Sequence, residues 1–175
     1  MRVAISGKSG CGNTTVSTLV ADRMNYDLIN FTFRTLAKEK GIEFWQFCSM
    51  AETDDEIDKE LDNRQVEMAL KAKNCVLGSR LAIWMLESAD LKVYLSASME
   101  VRAMRIQKRE RGSFHQRLKE TKMRDEKDTA RYKRIYNIDN TDSSVADLVL
   151  NTDDLEPIEV ADKIIEEIMR VLGPR

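Results

Sequence analysis

Short apolar runs alternate with longer amphipathic stretches along this chain of 175 residues. Val3-Ala4-Ile5 is the first run and predicts a strand over 2–6. Leu28-Ile29-Asn30-Phe31 predicts a second strand, Cys75-Val76-Leu77-Gly78 a third, Leu91-Lys92-Val93-Tyr94-Leu95 a fourth and Ala146-Asp147-Leu148-Val149-Leu150-Asn151 a fifth. Between these runs the spacing becomes helical. Over 13–24, Val16, Leu19, Val20 and Met24 fall on one face for burial. Residues 32–40 predict a short helix ending at Gly41, a favoured C-terminal signal. A third piece, 43–50, carries Phe44, Trp45 and Phe47, read as packing against neighbouring helices. Asp54-Asp55-Glu56 then puts acidic groups at a helix start, and that helix runs to about residue 73 with Ile57, Leu61, Val66, Met68 and Leu70 partly periodic. Further helices are predicted over 99–109, 114–136 and 157–172, the last with Pro157 in its first turn. Strands alternating with helices predict a parallel sheet covered on both faces, and phosphate ligands of such sheets bind beyond the carboxyl ends of the strands.

The turn after the first run carries a chemical pattern. Gly7-Lys8-Ser9-Gly10-Cys11-Gly12-Asn13-Thr14-Thr15 reads G-x-x-x-x-G-x-T between the first strand and the first helix. Glycines let backbone N–H groups turn inward around an anion, and the helix N-terminus adds partial positive charge. The loop is therefore a candidate phosphate cradle. In the standard P-loop a Lys before the Thr reaches the β- and γ-phosphates. Here Asn13 stands in that place, Thr14 keeps the hydroxyl that would hold Mg²⁺, and a displaced lysine, Lys8, follows the first glycine. Cys11 lies near a helix N-terminus, a setting able to lower a thiol pKa, although a small residue that simply fits the loop is the plainer reading.

Composition narrows the class. With 42% hydrophobic and 33% charged residues, the chain reads as one globular domain over 1–175. Its apolar runs are too short for a transmembrane helix or a secretory signal, so no membrane partner is expected. Cys11, Cys48 and Cys75 have no C-x-x-C spacing, which points to neither a zinc site nor a disulfide framework and leaves a reducing cytoplasm as the expected setting. His115, the only histidine, reads as a surface residue. The net charge of −2 is unevenly divided: residues 102–134 hold 13 of the 28 Lys+Arg and 5 of the 30 Asp+Glu. Such a basic section can be a solvated face, a nucleic-acid patch or a cover for a polyphosphate.

Phosphoryl transfer demands charge neutralisation and positioning more than a covalent nucleophile. Arg34 follows the second strand and Arg80 the third, where guanidinium groups could grip a monophosphate through paired hydrogen bonds. Arg102, Arg105 and Arg109 recur along one side of a helix, and Arg124 and Arg131 share a face of the next. Joined near Gly112, these helices form a basic hairpin able to fold over a triphosphate. Nucleic acid is a less expected partner, because Phe114, Tyr132 and Tyr136 read equally well as core residues.

These motifs form part of a longer resemblance. It is carried by residues 5–16, by Phe33-Arg34-Thr35-Leu36-Ala37-Lys38-Glu39-Lys40-Gly41, and by Asp58-Lys59-Glu60-Leu61-Asp62-Asn63-Arg64-Gln65. It continues in Ser79-Arg80-Leu81-Ala82-Ile83-Trp84, Ala89-Asp90-Leu91-Lys92-Val93-Tyr94-Leu95 and Arg131-Tyr132-Lys133-Arg134-Ile135-Tyr136-Asn137-Ile138-Asp139. Over these runs the chain resembles the P-loop nucleoside monophosphate kinases and is most similar to the archaeal-type cytidylate kinases. The resemblance implies a P-loop NTPase α/β/α fold with a five-stranded parallel sheet of order 2-3-1-4-5, a monophosphate-binding region near 32–73 and a lid near 110–130. It implies the reaction of ATP with CMP or dCMP, giving ADP and the diphosphate, with Mg²⁺, in a protein expected to be a monomer. On the matching positions, Arg34 and Arg80 would hold the acceptor phosphate. Arg109, Arg124 and Arg131 would stabilise the transferring group, with Lys8 as a local substitute for the missing lysine. Asp62 and Arg64 are candidates for contacts to the base.

Besides Asn13, Gly78-Ser79 stands where the family more often has Glu-Gly, and the 28–34 segment is about two residues shorter than usual. The alternative reading is a catalytically weakened nucleotide-binding switch that keeps the kinase fold. The arginines favour catalysis, since a pure sensor has less need of transition-state clamps.

Overall fold

Five strands, β1 (Arg2–Gly7), β2 (Asp27–Ile29), β3 (Cys75–Gly78), β4 (Leu91–Ser96) and β5 (Leu148–Asn151), pair as one parallel sheet. The order is β2-β3-β1-β4-β5 in the computed structural model, which describes residues 1–173. Val3, Ala4 and Ile5 are fully buried at the sheet's centre, which is why the middle of β1 is a continuous apolar run rather than alternating. Ile5 lies opposite both Gly78 and Val93: β3 ends at that level, β1 runs two residues further to Gly7 and β4 to Ser96, and the residues that follow all emerge at the same edge of the parallel sheet.

The helices are α1 (Asn13–Met24), α2 (Phe33–Glu39), α3 (Phe44–Ala51), α4 (Asp55–Lys71), α5 (Ala82–Met85), α6 (Met99–Glu110), α7 (Phe114–Tyr136) and α8 (Pro157–Leu172). Val16 and Val20 of α1 and Val160, Ile164 and Ile168 of α8 cover one sheet face. Ala69 of α4 packs with Leu77, Ile83, Leu86 and Tyr94 on the other. A third cluster of Phe31, Leu36, Phe47, Ile57 and Leu61 joins α2, α3 and α4.

Departures from the expected elements have local causes. β2 ends at Ile29 because Phe31 joins the third cluster and its carbonyl accepts from buried Gln65 Nε2 at 2.6 Å. The short α5 carries no periodic signal of its own; the Ile83 N–H donates to Ser6 Oγ at 3.1 Å, tying it to β1. Trp45 is 78% exposed, in contrast to the expected packing, whereas Phe47 is fully buried. On α4 the buried stripe is Ile57, Asp58, Leu61, Asp62, Gln65 and Ala69, while Met68 and Leu70 face solvent. The inward face of that helix is half polar because it lines a cleft.

Candidate active site

The loop between β1 and α1 turns through Gly10 and Gly12, whose φ angles of 87° and 98° place them in the left-handed region that side chains disfavour. Gly12 is the N-cap of α1, so no side chain satisfies the free N–H groups, and no acid occupies the first turn. By contrast Asp54, Ser98 and Ser113 cap α4, α6 and α7. Free N–H groups and the helix dipole thus meet at an open end, which is what an anion requires.

Buried side chains hold the loop from behind. Arg102, 4% exposed, donates to Ser9 O at 3.1 Å and to both carboxylate oxygens of Asp125 at 3.1 and 2.7 Å. Arg105 donates to Thr152 Oγ1 at 3.0 Å, and that hydroxyl bridges to Cys11 O at 3.2 Å. Arg102 and Arg105 therefore secure the loop rather than forming part of a free basic face. Cys11 also turns inward, 1% exposed, and burial raises its thiol pKa, opposite to the lowering its position allows.

The open side of the loop faces a cleft of about 1070 Å³. Lys8, Arg34, Asp62, Arg80, Arg109 and Arg124 all line it, together with the loop residues Gly7 to Thr15. Arg124 donates to Ser9 Oγ at 3.1 Å, and Lys8 Nζ lies 3.8 Å from Asp125. Arg109 pairs with Glu110 at 2.6 Å, and Arg34 stacks 4.1 Å from the centre of the Phe44 ring. Arg80 pairs with Asp128 at 2.7 Å. Arg131 reaches the same Asp128 at 3.3 Å and Asp58 at 3.5 Å, set back from the cleft lining. Arg64 is turned away, paired with Glu39 at 3.0 Å and stacked on Phe31.

The α4 side of the cleft holds residues that apolar periodicity overlooks. Asp58, Asp62 and Gln65 line the cleft at intervals of four and three along α4, a spacing that shares one helix face. Burial raises the Asp58 pKa, and Asp58 Oδ2 is buried without a hydrogen-bond partner. Burial likewise lifts Asp62 to about 6, against the opposing hydrogen bond from Tyr136 Oη at 2.7 Å. Asp125 and Asp128, which hold the arginines, are also three apart on α7. Both carboxylate pairs are detectable as helical spacings among polar residues.

The side chain of Asn13 turns toward the sheet. Its Nδ2 donates to Ile5 O at 2.9 Å and Ser79 O at 3.1 Å, and its Oδ1 accepts from Ser17 Oγ at 2.9 Å. Thr14, in contrast, is exposed on the cleft. Among the described residues no group of three or more His, Cys, Asp or Glu could hold a metal ion. Mg²⁺ needs few protein oxygens when phosphates supply the others, so the donors present fit an ion carried by the nucleotide, with Thr14 adding one oxygen. No helix among the described residues is long and apolar enough to cross a membrane.

Known proteins share both the sequence and the fold. A Cytidylate kinase 2 of Borreliella burgdorferi is 48% identical over 172 residues, covering 96% of this chain and 95% of that protein. A cytidylate kinase of Methanobrevibacter smithii is 38% identical, covering 98% of this chain and all of its own length. Among solved structures, shikimate kinase from Bacteroides thetaiotaomicron superposes with a TM-score of 0.66 over 97% of this chain and 98% of its own, at 16% identity, a likeness of fold. Residues 2–154 match the pattern of the cytidylate kinase-like family, and the chain belongs to that family.

Proposed function

We propose that the protein transfers the γ-phosphoryl group of ATP to CMP or dCMP, giving ADP and the corresponding diphosphate. The observation that carries this reading is an uncapped helix N-terminus and a ring of arginines sharing one cleft with two buried carboxylates. The loop N–H groups and Lys8 bind the donor phosphates. Arg34 and Arg80 hold the acceptor phosphate, for which Asp128 competes in its pairing with Arg80. Arg109, Arg124 and Arg131 supply positive charge where negative charge spreads in the transition state. Thr14 would give one oxygen to Mg²⁺, which would supply charge neutralisation at the donor phosphates. The region 32–73 serves as the acceptor site and 110–130 as the lid.

Asp58 and Asp62 support a cytosine base. An ionised carboxylate accepts a hydrogen bond from an exocyclic amino group, whereas uracil offers a carbonyl oxygen that a carboxylate repels. Arg64 is directed to Glu39 and would have to leave that exposed pair to reach the base.

The test is a panel of CMP, dCMP, UMP, AMP and GMP with ATP and Mg²⁺, resolving the nucleotide products. CMP or dCMP is expected to give the highest kcat/KM. Lack of turnover with every acceptor in folded protein overturns the proposal, and ATP binding without transfer would identify a nucleotide switch instead.

A further inference from the structure

Two departures from the family's usual residues, Asn13 in the phosphate loop in place of lysine and Gly78 at the end of β3 in place of an acid, meet in space. Where β3 ends, the Ser79 N–H donates to Ile5 O of β1 at 3.2 Å, and the Asn13 amide adds a second tie to that junction, donating to Ile5 O and Ser79 O. Both partners can only accept, so the NH₂ group must face them and Oδ1 must face Ser17, whose hydroxyl donates to it. Gly78 is required by the same packing: a Cβ there would lie 2.5 Å from Ser17 Oγ and 3.0 Å from Asn13 Oδ1. Asn13, Ser17 and Gly78 thus form one unit.

We infer that Asn13 is a positioning residue for the acceptor site rather than a ligand of the donor phosphates. The residue held by its second hydrogen bond, Ser79, immediately precedes Arg80. Fixing the Ser79 carbonyl to the base of α1 sets where the Arg80 backbone leaves the sheet, and with it the reach of the guanidinium into the cleft. Loop and acceptor arginine are built on a common anchor, which aligns the two substrates. The inference rests on Arg80 being an acceptor-phosphate ligand.

Steady-state kinetics with each substrate varied in turn separates the roles. Asn13→Ala removes the anchor, and Asn13→Asp keeps its size while setting a carboxylate against two carbonyls. Each is expected to raise KM for CMP about tenfold, the equivalent of about 1.4 kcal/mol in all, and to leave KM for ATP within about twofold. Ser17→Ala, a milder change, is expected to raise the same constant by less and to add nothing in the Asn13→Ala background. Arg80→Lys serves as the control and is expected to raise KM for CMP. If Arg80→Lys raises it but the Asn13 variants raise KM for ATP selectively, Asn13 faces the donor and the inference fails alone. If Arg80→Lys leaves it unchanged, the assignment of Arg80 fails and the inference with it.

Discussion

Burial of Asp62 sets a proton equilibrium near the pH at which the enzyme would work. Its ordinary value of 3.8 holds in the unfolded chain, and the folded value is about 6, so the folded state binds the proton more tightly between those limits. Stability from this group is complete below about pH 4 and is lost as pH rises through about 6. Asp62→Asn is therefore expected to stabilise the protein at neutral pH by at most about 3 kcal/mol, with no gain below about pH 4, as read by urea denaturation at both values. An equal gain at both would show that the carboxylate is not the cause. The same ionisation bears on recognition, because only the charged carboxylate discriminates strongly between amino and carbonyl groups. The ratio of kcat/KM for CMP over UMP is expected to rise with pH through about 6 and to be flat in Asp62→Asn. Taking the ratio cancels the titration of the substrate phosphate, whose second pKa is also about 6. At the cysteines, a thiol reagent is expected to modify half-buried Cys48 in the native protein and to reach buried Cys11 and Cys75 only on unfolding, as counted by mass spectrometry.

Among the elements, α6 and α7 are joined by the buried pair of Arg102 and Asp125. Removing one partner leaves the other charged in a site with little water. Asp125→Ala is expected to cost about 3–5 kcal/mol, and the double variant with Arg102→Ala less than the sum of the singles. Urea denaturation of all three variants measures this; additive losses would mean the two side chains act independently. The strands and the long helices were legible because their patterns are local: β1 is built on the apolar run Val3-Ala4-Ile5, and α7 spans the anticipated Phe114–Tyr136. The polar stripe of α4 was not, because apolar periodicity looks past Asp58, Asp62 and Gln65 although they are buried. Arg102 and Arg105 looked like part of a free basic face, since their carbonyl partners at Ser9 and Thr152 are 93 and 47 residues away. The turn of Asn13 toward the sheet was equally hidden, although its contact with Ser17, four residues on, is a helical spacing.

At the scale of the molecule, α7 touches both halves of the cleft. At one end Lys8 and Ser9 of the loop meet Asp125 and Arg124. Further along, Arg131 meets Asp58, Tyr136 meets Asp62, and Arg134 meets Asp55, all on α4. The excess positive charge of 102–134 is thereby partly balanced by carboxylates of α4, which weakens a nucleic-acid reading. Exposed pairs such as Arg134 with Asp55 are worth little individually and exchange partners readily, whereas the more buried pairs of Arg102 with Asp125 and Arg131 with Asp58 hold α7 against α6 and α4. Because one helix contacts both ends, occupation of either end should alter the other. A non-hydrolysable ATP analogue is expected to tighten CMP binding by about 5-fold or more, within the usual range of coupling energies. Linkage requires CMP to tighten analogue binding by the same factor, which calorimetric titrations in both orders can check. Lys127 and Arg134, which pair with Glu52 and Asp55, connect α7 to the end of α3 and the start of α4 outside the cleft lining. Replacing both with Ala is expected to reduce that factor while leaving the affinity for the analogue alone within about twofold, since neither reaches the loop. Independent binding in the unmodified protein would mean that α7 spans the two sites without coupling them.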